Sequence, residues 1–155
     1  DVHSELYLQT LHFLQHVTAG EDPLVWLSEY VQLELALLEH LGFGLDLSCC
    51  AATGATDALC YVSPKSGRAV SREAGAPYHE KLLILPGFLL DPMHPAPDYF
   101  LVHAGLKLTG YFLELKLLAA LHRPCPILRQ HFADMVGSLA HERKNVTATL
   151  ANAGT

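Results

Sequence analysis

Residues 1–60 contain no lysine and no arginine, although acidic side chains are spread along that segment. The whole chain of 155 residues has 10 Lys and Arg against 16 Asp and Glu, which gives a formal net charge of −6. A negative chain repels the phosphate backbone, so this overall charge argues against a protein wrapped in nucleic acid. Any anion-binding surface must be local and must lie after residue 60.

The sequence also lacks a long hydrophobic run and a disulfide framework. No apolar stretch approaches the roughly 20 residues that a membrane-spanning helix needs. The four cysteines follow no secretory segment and have no familiar disulfide spacing; they are Cys49, Cys50, Cys60 and Cys125. We therefore expect a soluble cytoplasmic protein with reduced thiols.

Signatures of common enzyme classes are missing as well. The chain has no GxxxxGK[ST] loop, no GxGxxG fingerprint and no HExxH pair, so nucleotide hydrolysis, dinucleotide redox chemistry and zinc proteolysis lose their usual support. No cysteine lies in a local signature of nucleophilic catalysis. These absences favour a non-enzymatic binding module. The alternative is a metal-dependent or thiol enzyme that uses Cys49, Cys50 and Cys60 together.

Helical periodicity is the main pattern that the sequence does show. Apolar residues at spacings of three and four predict helices over 4–18, 23–41 and 98–121. A further apolar stripe predicts a last helix and consists of Leu128, Phe132, Met135 and Leu139. Glycine disfavours a helix interior, so Gly105 and Gly110 indicate close approach by another helix or backbone.

Short β-prone segments lie between the second and third predicted helices. Residues 59–62 and 69–71 predict two strands joined by a tight turn, and the proline-broken residues 82–97 predict a packed linker. Four bases near the hairpin are the candidate anion-binding surface: Lys65, Arg68, Arg72 and Lys81. An ordinary solvated hairpin is the alternative interpretation.

Between Cys50 and Ala74 the chain keeps the outline of a four-cysteine zinc knuckle, CxxC then 17 residues then CxxC, without most of its ligands. The ligand positions hold Cys50, Thr53, Ser71 and Ala74. A structural zinc site needs four thiolate or imidazole donors, so we expect no metal and no cofactor here. The hairpin must then be anchored by apolar contacts, for which the candidates are Leu47, Leu59, Tyr61 and Val62.

Two histidines, His12 and His16, lie one helical turn apart on the first predicted helix. Imidazoles at this spacing can bind one divalent metal together, but two ligands without a carboxylate or another third donor make a weak site. We therefore expect both side chains to face solvent.

Two segments carry a resemblance to a known family. The first segment reads LELALL at 33–38 and LGFGLDL at 41–47, and continues with Cys50, Tyr61, Ser63, Pro64, Ser66 and Gly67. The second comprises Leu106 and LTGYFLE at 108–114. Both resemble the RecO family of bacterial recombination mediators. The resemblance implies a mainly α-helical bundle with an inserted small β-hairpin, which is a metal-free relic of the RecO-type zinc finger.

In that family an OB-fold domain precedes the helical domain, and this chain is similar only to the second of these. The resemblance implies a RecO C-terminal-like helical domain over 1–143, with an inserted degenerate zinc-finger-like hairpin over 46–81 and a flexible tail over 144–155. The chain begins without methionine, which is consistent with a fragment.

The implied function is that of a DNA repair and recombination mediator without enzymatic activity. Such a protein binds single- and double-stranded DNA, anneals strands, engages the acidic C-terminal tail of single-strand-binding protein, and works with RecR to load RecA. Docking of that tail needs an apolar pocket rimmed by bases. The family places bases where this chain has Gln32 beside Val31. The candidate bases are therefore on neighbouring segments: Lys107, Lys116, Arg123 and Arg129.

Overall fold

The chain folds into a mainly α-helical protein with one small antiparallel sheet, as expected, in a computed structural model that describes residues 2–153. Its α-helices are α1 (Val2–Ala19), α2 (Pro23–His40), α3 (Arg72–Gly75), α4 (Tyr99–Phe112) and α5 (Ile127–Ala153). Its strands are β1 (Leu59–Val62), β2 (Ala69–Ser71) and β3 (Leu83–Ile84). Tighter or wider helical turns lie at Ala76–Lys81 and Gly87–Leu89, which are 3₁₀, and at Leu113–Leu118, which is π.

The two predicted strands are confirmed, and the structure adds a third. Strand β3 pairs antiparallel with β1, so the order in the sheet is β2-β1-β3. The sequence analysis assigned this stretch to a packed linker, because a two-residue strand followed by Pro86 leaves no alternating pattern to read. Residues 46–81, here called the finger, therefore rest against a strand of the following segment.

The predicted span of the third long helix is confirmed, whereas that of the last helix is not. The helix predicted over 98–121 is continuous: it is α-helical over Tyr99–Phe112, π-helical over Leu113–Leu118 and α-helical again at 119–120. Helix α5 continues to Ala153, whereas the sequence analysis expected a frayed tail from Lys144. The small residues beyond Lys144 have no apolar periodicity, so the pattern could not extend the helix.

One apolar cluster joins the finger to the helices. It contains Val31 of α2 and Phe112 of α4 together with Val62 and Ala69 of the hairpin, all of them buried. Among the predicted anchors, Leu59 and Val62 belong to this cluster, and Leu47 and Tyr61 pack against it. The expectation that apolar contacts anchor the finger is therefore confirmed.

Gly105 lies where α4 crosses α2. A Cβ built on it would meet Val31 Cγ1 at 2.9 Å, which is closer than real Cβ atoms approach, and Phe88 Cζ at 3.0 Å, which is tighter than most real contacts. The predicted close contact at this glycine is confirmed, although the groups that approach are side chains and not another backbone.

The apolar stripe predicted for the last helix is wrong in part. Leu128 is 82% exposed and Met135 is 57% exposed, while Val136 and Ala140 are buried among the α5 residues whose burial is described. The face that packs inward is therefore rotated from the predicted one. None of the described helices is long and apolar enough to cross a bilayer.

Candidate nucleic-acid and partner interface

The four zinc-knuckle positions form a hydrogen-bonded cluster at the base of the finger. The Ser71 N–H donates to Cys50 Sγ at 3.2 Å, and the Ala74 N–H donates to Ser71 Oγ at 3.4 Å. The Cys50 N–H donates to the Ala55 carbonyl at 2.7 Å. One thiol, two hydroxyls and a methyl do not fit a structural zinc ion. Hydrogen bonds thus connect the two halves of the knuckle in this chain.

Cys50 is the chemically distinctive member of this cluster. Hydrogen bonds from the Ser71 and Thr53 hydroxyls and from the Ser71 amide lower the pKa of the Cys50 thiol to about 6, against the opposing effect of burial. The side chain is nevertheless only 1% exposed. A buried thiolate that reagents cannot reach is inert, so the arrangement does not resemble a catalytic cysteine.

A depressed thiol pKa makes folding stability depend on pH. The folded-state pKa of Cys50 lies near 6 and the unsupported thiol titrates near 9, so the stabilisation is complete above pH 9 and is lost as pH falls through 6. We expect the free energy of unfolding to rise between pH 6 and pH 9, and Cys50→Ala to flatten that rise. The difference in thiolate absorbance near 240 nm between the parent protein and Cys50→Ala should titrate with a midpoint near 6; a midpoint near 9 would contradict this account. Cys49→Ala is the matched control and should leave the midpoint unchanged.

The four predicted DNA-contacting bases all lie in the finger. Arg68 immediately precedes β2, and its Nε lies 3.3 Å from Asp46 Oδ2, with both side chains nearly half exposed. Lys65 in the β1–β2 turn, Arg72 at the start of α3 and Lys81 at the end of the following 3₁₀ helix are exposed. Bases and acids balance in number along the finger, whereas the rest of the chain is acidic.

Arg129 has a partner inside the protein. Its Nε and Nη2 lie 2.7 Å and 2.8 Å from the two carboxylate oxygens of Glu34, and the two side chains are 13% and 9% exposed. The Thr109 hydroxyl donates to Glu34 Oε2 at 2.6 Å, and Arg129 Nη2 also donates to the Leu106 carbonyl at 3.0 Å. We call Glu34 and Arg129 the central ion pair. It ties α2, α4 and α5 together.

Two neighbours show how closely the central ion pair is enclosed. Burial, and then the Glu34 carboxylate, raise the pKa of Tyr30 to about 12. A Cβ on Gly110 would meet Arg129 Nη1 at 2.7 Å, so this glycine leaves the space that the guanidinium occupies. The predicted close approach at Gly110 is confirmed.

Contact between Arg129 and a partner would require the guanidinium to leave Glu34. The predicted role of Arg129 in partner binding stays a prediction.

Lys107 borders an apolar cleft that the sequence analysis did not locate. The cleft has a volume of about 200 Å³ and is lined by Leu83, Ile84, Phe100 and Lys107, among others. Lys144 adds a second base beside it: Lys144 lines an adjoining cleft that also includes Lys107 and Phe100, and its Nζ lies 4.5 Å from the centre of the Phe100 ring. Lys144 was not among the predicted partner-binding bases because it lies beyond the predicted end of the last helix.

The remaining predicted residues lie elsewhere. Lys116 is exposed on the π-helical segment and Arg123 is exposed in the loop before α5, and neither lines the cleft at Lys107. Val31 is fully buried, and Gln32 Nε2 donates to the Phe88 carbonyl at 3.0 Å. The position where the family places bases therefore belongs to the packing between α2 and the Gly87–Leu89 turn.

These observations define the class of the protein as a mainly α-helical domain that carries a small antiparallel sheet. The sequence comparisons name the family within that class. The family described as "Recombination protein O C terminal" matches residues 1–124, and the chain belongs to it.

Curated relatives named DNA repair protein RecO match most of the chain. The protein from Rhodospirillum rubrum is 49% identical over 133 residues, which is 84% of this chain and 53% of the relative. The protein from Caulobacter sp. strain K31 is 52% identical over 134 residues, which is 86% of this chain and 55% of the relative. The chain thus spans about half the length of these relatives. No solved structure gives a significant match.

Proposed function

We propose that this chain is a non-enzymatic module of a DNA repair and recombination mediator, which contacts DNA through the finger and a repair protein through the cleft at Lys107. The observation that carries the proposal is the family match over residues 1–124, together with relatives named for DNA repair. In the wider assembly the module works with RecR to support strand annealing and RecA loading. Because the chain matches only about half of its relatives, its own DNA affinity should be modest.

The electrostatics of the finger support a weak and exchangeable phosphate contact. Hydrogen bonds from Ser48, and then from Arg68, hold the pKa of Asp46 below its usual range, so this carboxylate is charged at neutral pH. The pair of Arg68 with Asp46 is solvent-exposed and worth little energy, so a phosphate oxygen can replace the carboxylate without a large penalty. Lys65, Arg72 and Lys81 have exposed side chains that can add further contacts.

The cleft at Lys107 supports the second contact. Ile84 and Phe100 are 39% and 40% exposed, so an apolar side chain of a ligand could cover surface that water now reaches. Lys107 and Lys144 place positive charge at its rim. An apolar cleft with a basic rim suits a segment that combines acidic residues with a terminal hydrophobe, as in the tail of single-strand-binding protein.

One crossed experiment tests both contacts. Two double variants, Arg68→Ala with Arg72→Ala and Lys107→Ala with Lys144→Ala, each remove two positive charges. Each is titrated with a single-stranded oligonucleotide and with an acidic tail peptide by fluorescence anisotropy. Four phosphate contacts give a salt exponent of about 2.8, so DNA affinity of the parent protein should fall about 50-fold between 50 and 200 mM salt.

The finger variant should keep an exponent of only about 1.4, which corresponds to a fall of about sevenfold over the same range. It should bind the peptide as the parent does. The Lys107 variant should show the reverse pattern, with weakened peptide binding and an unchanged salt exponent for DNA. Equal loss of DNA binding in both variants would show that only net charge matters and would overturn the assignment to the finger.

A further inference from the structure

A third donor joins the two histidines of α1. Glu29 of α2 places Oε1 at 2.7 Å from His16 Nδ1 and at 3.2 Å from His12 Nδ1. Ligand atoms of all three residues lie within 4.8 Å of one another. The expectation that the two histidines simply face solvent is therefore incomplete, because the packing of α1 on α2 supplies the carboxylate that their spacing alone lacked.

The two carboxylate oxygens of Glu29 differ in their hydrogen bonding. Both imidazoles approach the same oxygen, Oε1, while Oε2 is buried and has no hydrogen-bond partner. A buried acceptor without a partner is costly, and in a native protein such an atom calls for an explanation. A cation bound by the two imidazoles and the carboxylate supplies one, because it can share charge with both oxygens.

We propose that His12, His16 and Glu29 bind one divalent late first-row transition ion, of which Zn²⁺ is the commonest with this ligand set. Two imidazole nitrogens and one carboxylate oxygen are donors that Zn²⁺ and its neighbours accept, with remaining positions left for water. Mg²⁺ and Ca²⁺ prefer oxygen ligands and should not compete. This site is separate from the zinc-knuckle positions of the finger.

The surroundings of the site allow water and an ion to enter. His12 and Glu29 line two clefts, of about 360 Å³ and about 240 Å³. The amide of Gln32, which also lines both clefts, already donates to the Phe88 carbonyl and is not needed as a ligand. The side chain of His12 is 62% exposed, so at least one ligand can move to receive the ion.

Metal binding at this place would connect α1 to α2. The outer face of α1 contributes little to the core, since Tyr7 and Leu8 are each 63% exposed. An ion whose ligands come from both helices binds the folded arrangement and not the unfolded chain, so it must stabilise the fold. The melting temperature should therefore rise with Zn²⁺, and beyond one equivalent it should continue to rise only with the logarithm of the free ion concentration.

Equilibrium dialysis with Zn²⁺, and Co²⁺ absorption spectra, test the proposal on the full chain. The parent protein should bind one ion tightly, and His12→Gln, His16→Gln and Glu29→Gln should each weaken binding at least about tenfold. A loss of that size is seen even when the substituted residue only hydrogen-bonds to a metal ligand. The matched control is His79→Gln, because His79 is exposed in the finger and its Nδ1 lies 2.9 Å from the nearby Ala76 carbonyl oxygen. It should bind the ion as the parent does.

Folding of each variant is checked by far-ultraviolet circular dichroism. The largely exposed His12 can be replaced without loss of packing, so the His12→Gln result decides the question even where another variant unfolds. Parent-like affinity in His12→Gln, or an equal loss in His79→Gln, would overturn the site. A melting temperature that Mg²⁺ raises as much as Zn²⁺ does would overturn the assignment of the ion.

Discussion

Arg129→Ala should lower the free energy of unfolding by about 3–5 kcal/mol, which is the cost of removing one member of a buried ion pair. The substitution leaves the carboxylate of Glu34, which is 9% exposed, without its guanidinium. Thr109 remains as a donor, but one hydroxyl cannot replace two charge-assisted hydrogen bonds. Urea denaturation followed by circular dichroism measures the change.

A double variant tests whether the unpaired charge of Glu34 causes the loss of stability in Arg129→Ala. Replacing both partners, Glu34→Leu with Arg129→Met, removes the uncompensated charge and should recover most of the stability that Arg129→Ala loses. Arg123→Ala removes the same kind of charge from an exposed position and should change stability by less than about 0.5 kcal/mol. If the Arg129 and Arg123 variants were equally stable, the central ion pair would have no structural role.

Phe112→Ala should cost about 3–5 kcal/mol, as is typical of a buried phenylalanine. Phe112 is 2% exposed and belongs to the cluster that joins the finger to the helices. A Cβ on Gly67, at the end of the β1–β2 turn, would lie 3.6 Å from its ring. Because the Phe112 ring packs against the finger, we expect its removal to destabilise the finger more than the helices.

Amide hydrogen exchange can locate that effect. In Phe112→Ala the amides of β1 and β2 should exchange faster than those of α2, relative to the parent protein. Tyr111→Ala is the matched control, because Tyr111 precedes Phe112 on the same helix and is 39% exposed. A uniform loss of protection across the chain would show that the finger has no separate dependence on this ring.

The elements that local chemistry determines were predictable from the sequence. The hairpin strands at 59–62 and 69–71 have the predicted bounds, and the glycines of α4 were correctly interpreted as places of close approach. Both features depend on neighbours in sequence or on the absence of a side chain. A turn or a glycine within a helix can therefore be recognised from the residue types of a single sequence.

The contacts between distant segments were not predictable. The ion pair of Arg129 was missed because nothing near residue 129 indicates that Glu34, 95 positions away, lies opposite it. The signal that could have raised the question is Glu34 itself, which lies between Leu33 and Leu35 in a largely apolar predicted helix, since a buried charge needs a partner. The carboxylate that completes the histidine pair was missed for the same reason, because it lies on another helix.

The central ion pair also sets an order of events during synthesis. Glu34 leaves the ribosome long before Arg129, so a nascent chain contains the acid of α2 but not yet the base that neutralises it. Until α5 is made, the Glu34 carboxylate lacks the two charge-assisted hydrogen bonds that Arg129 donates. The stabilisation from this pair is therefore added only after translation has passed residue 129.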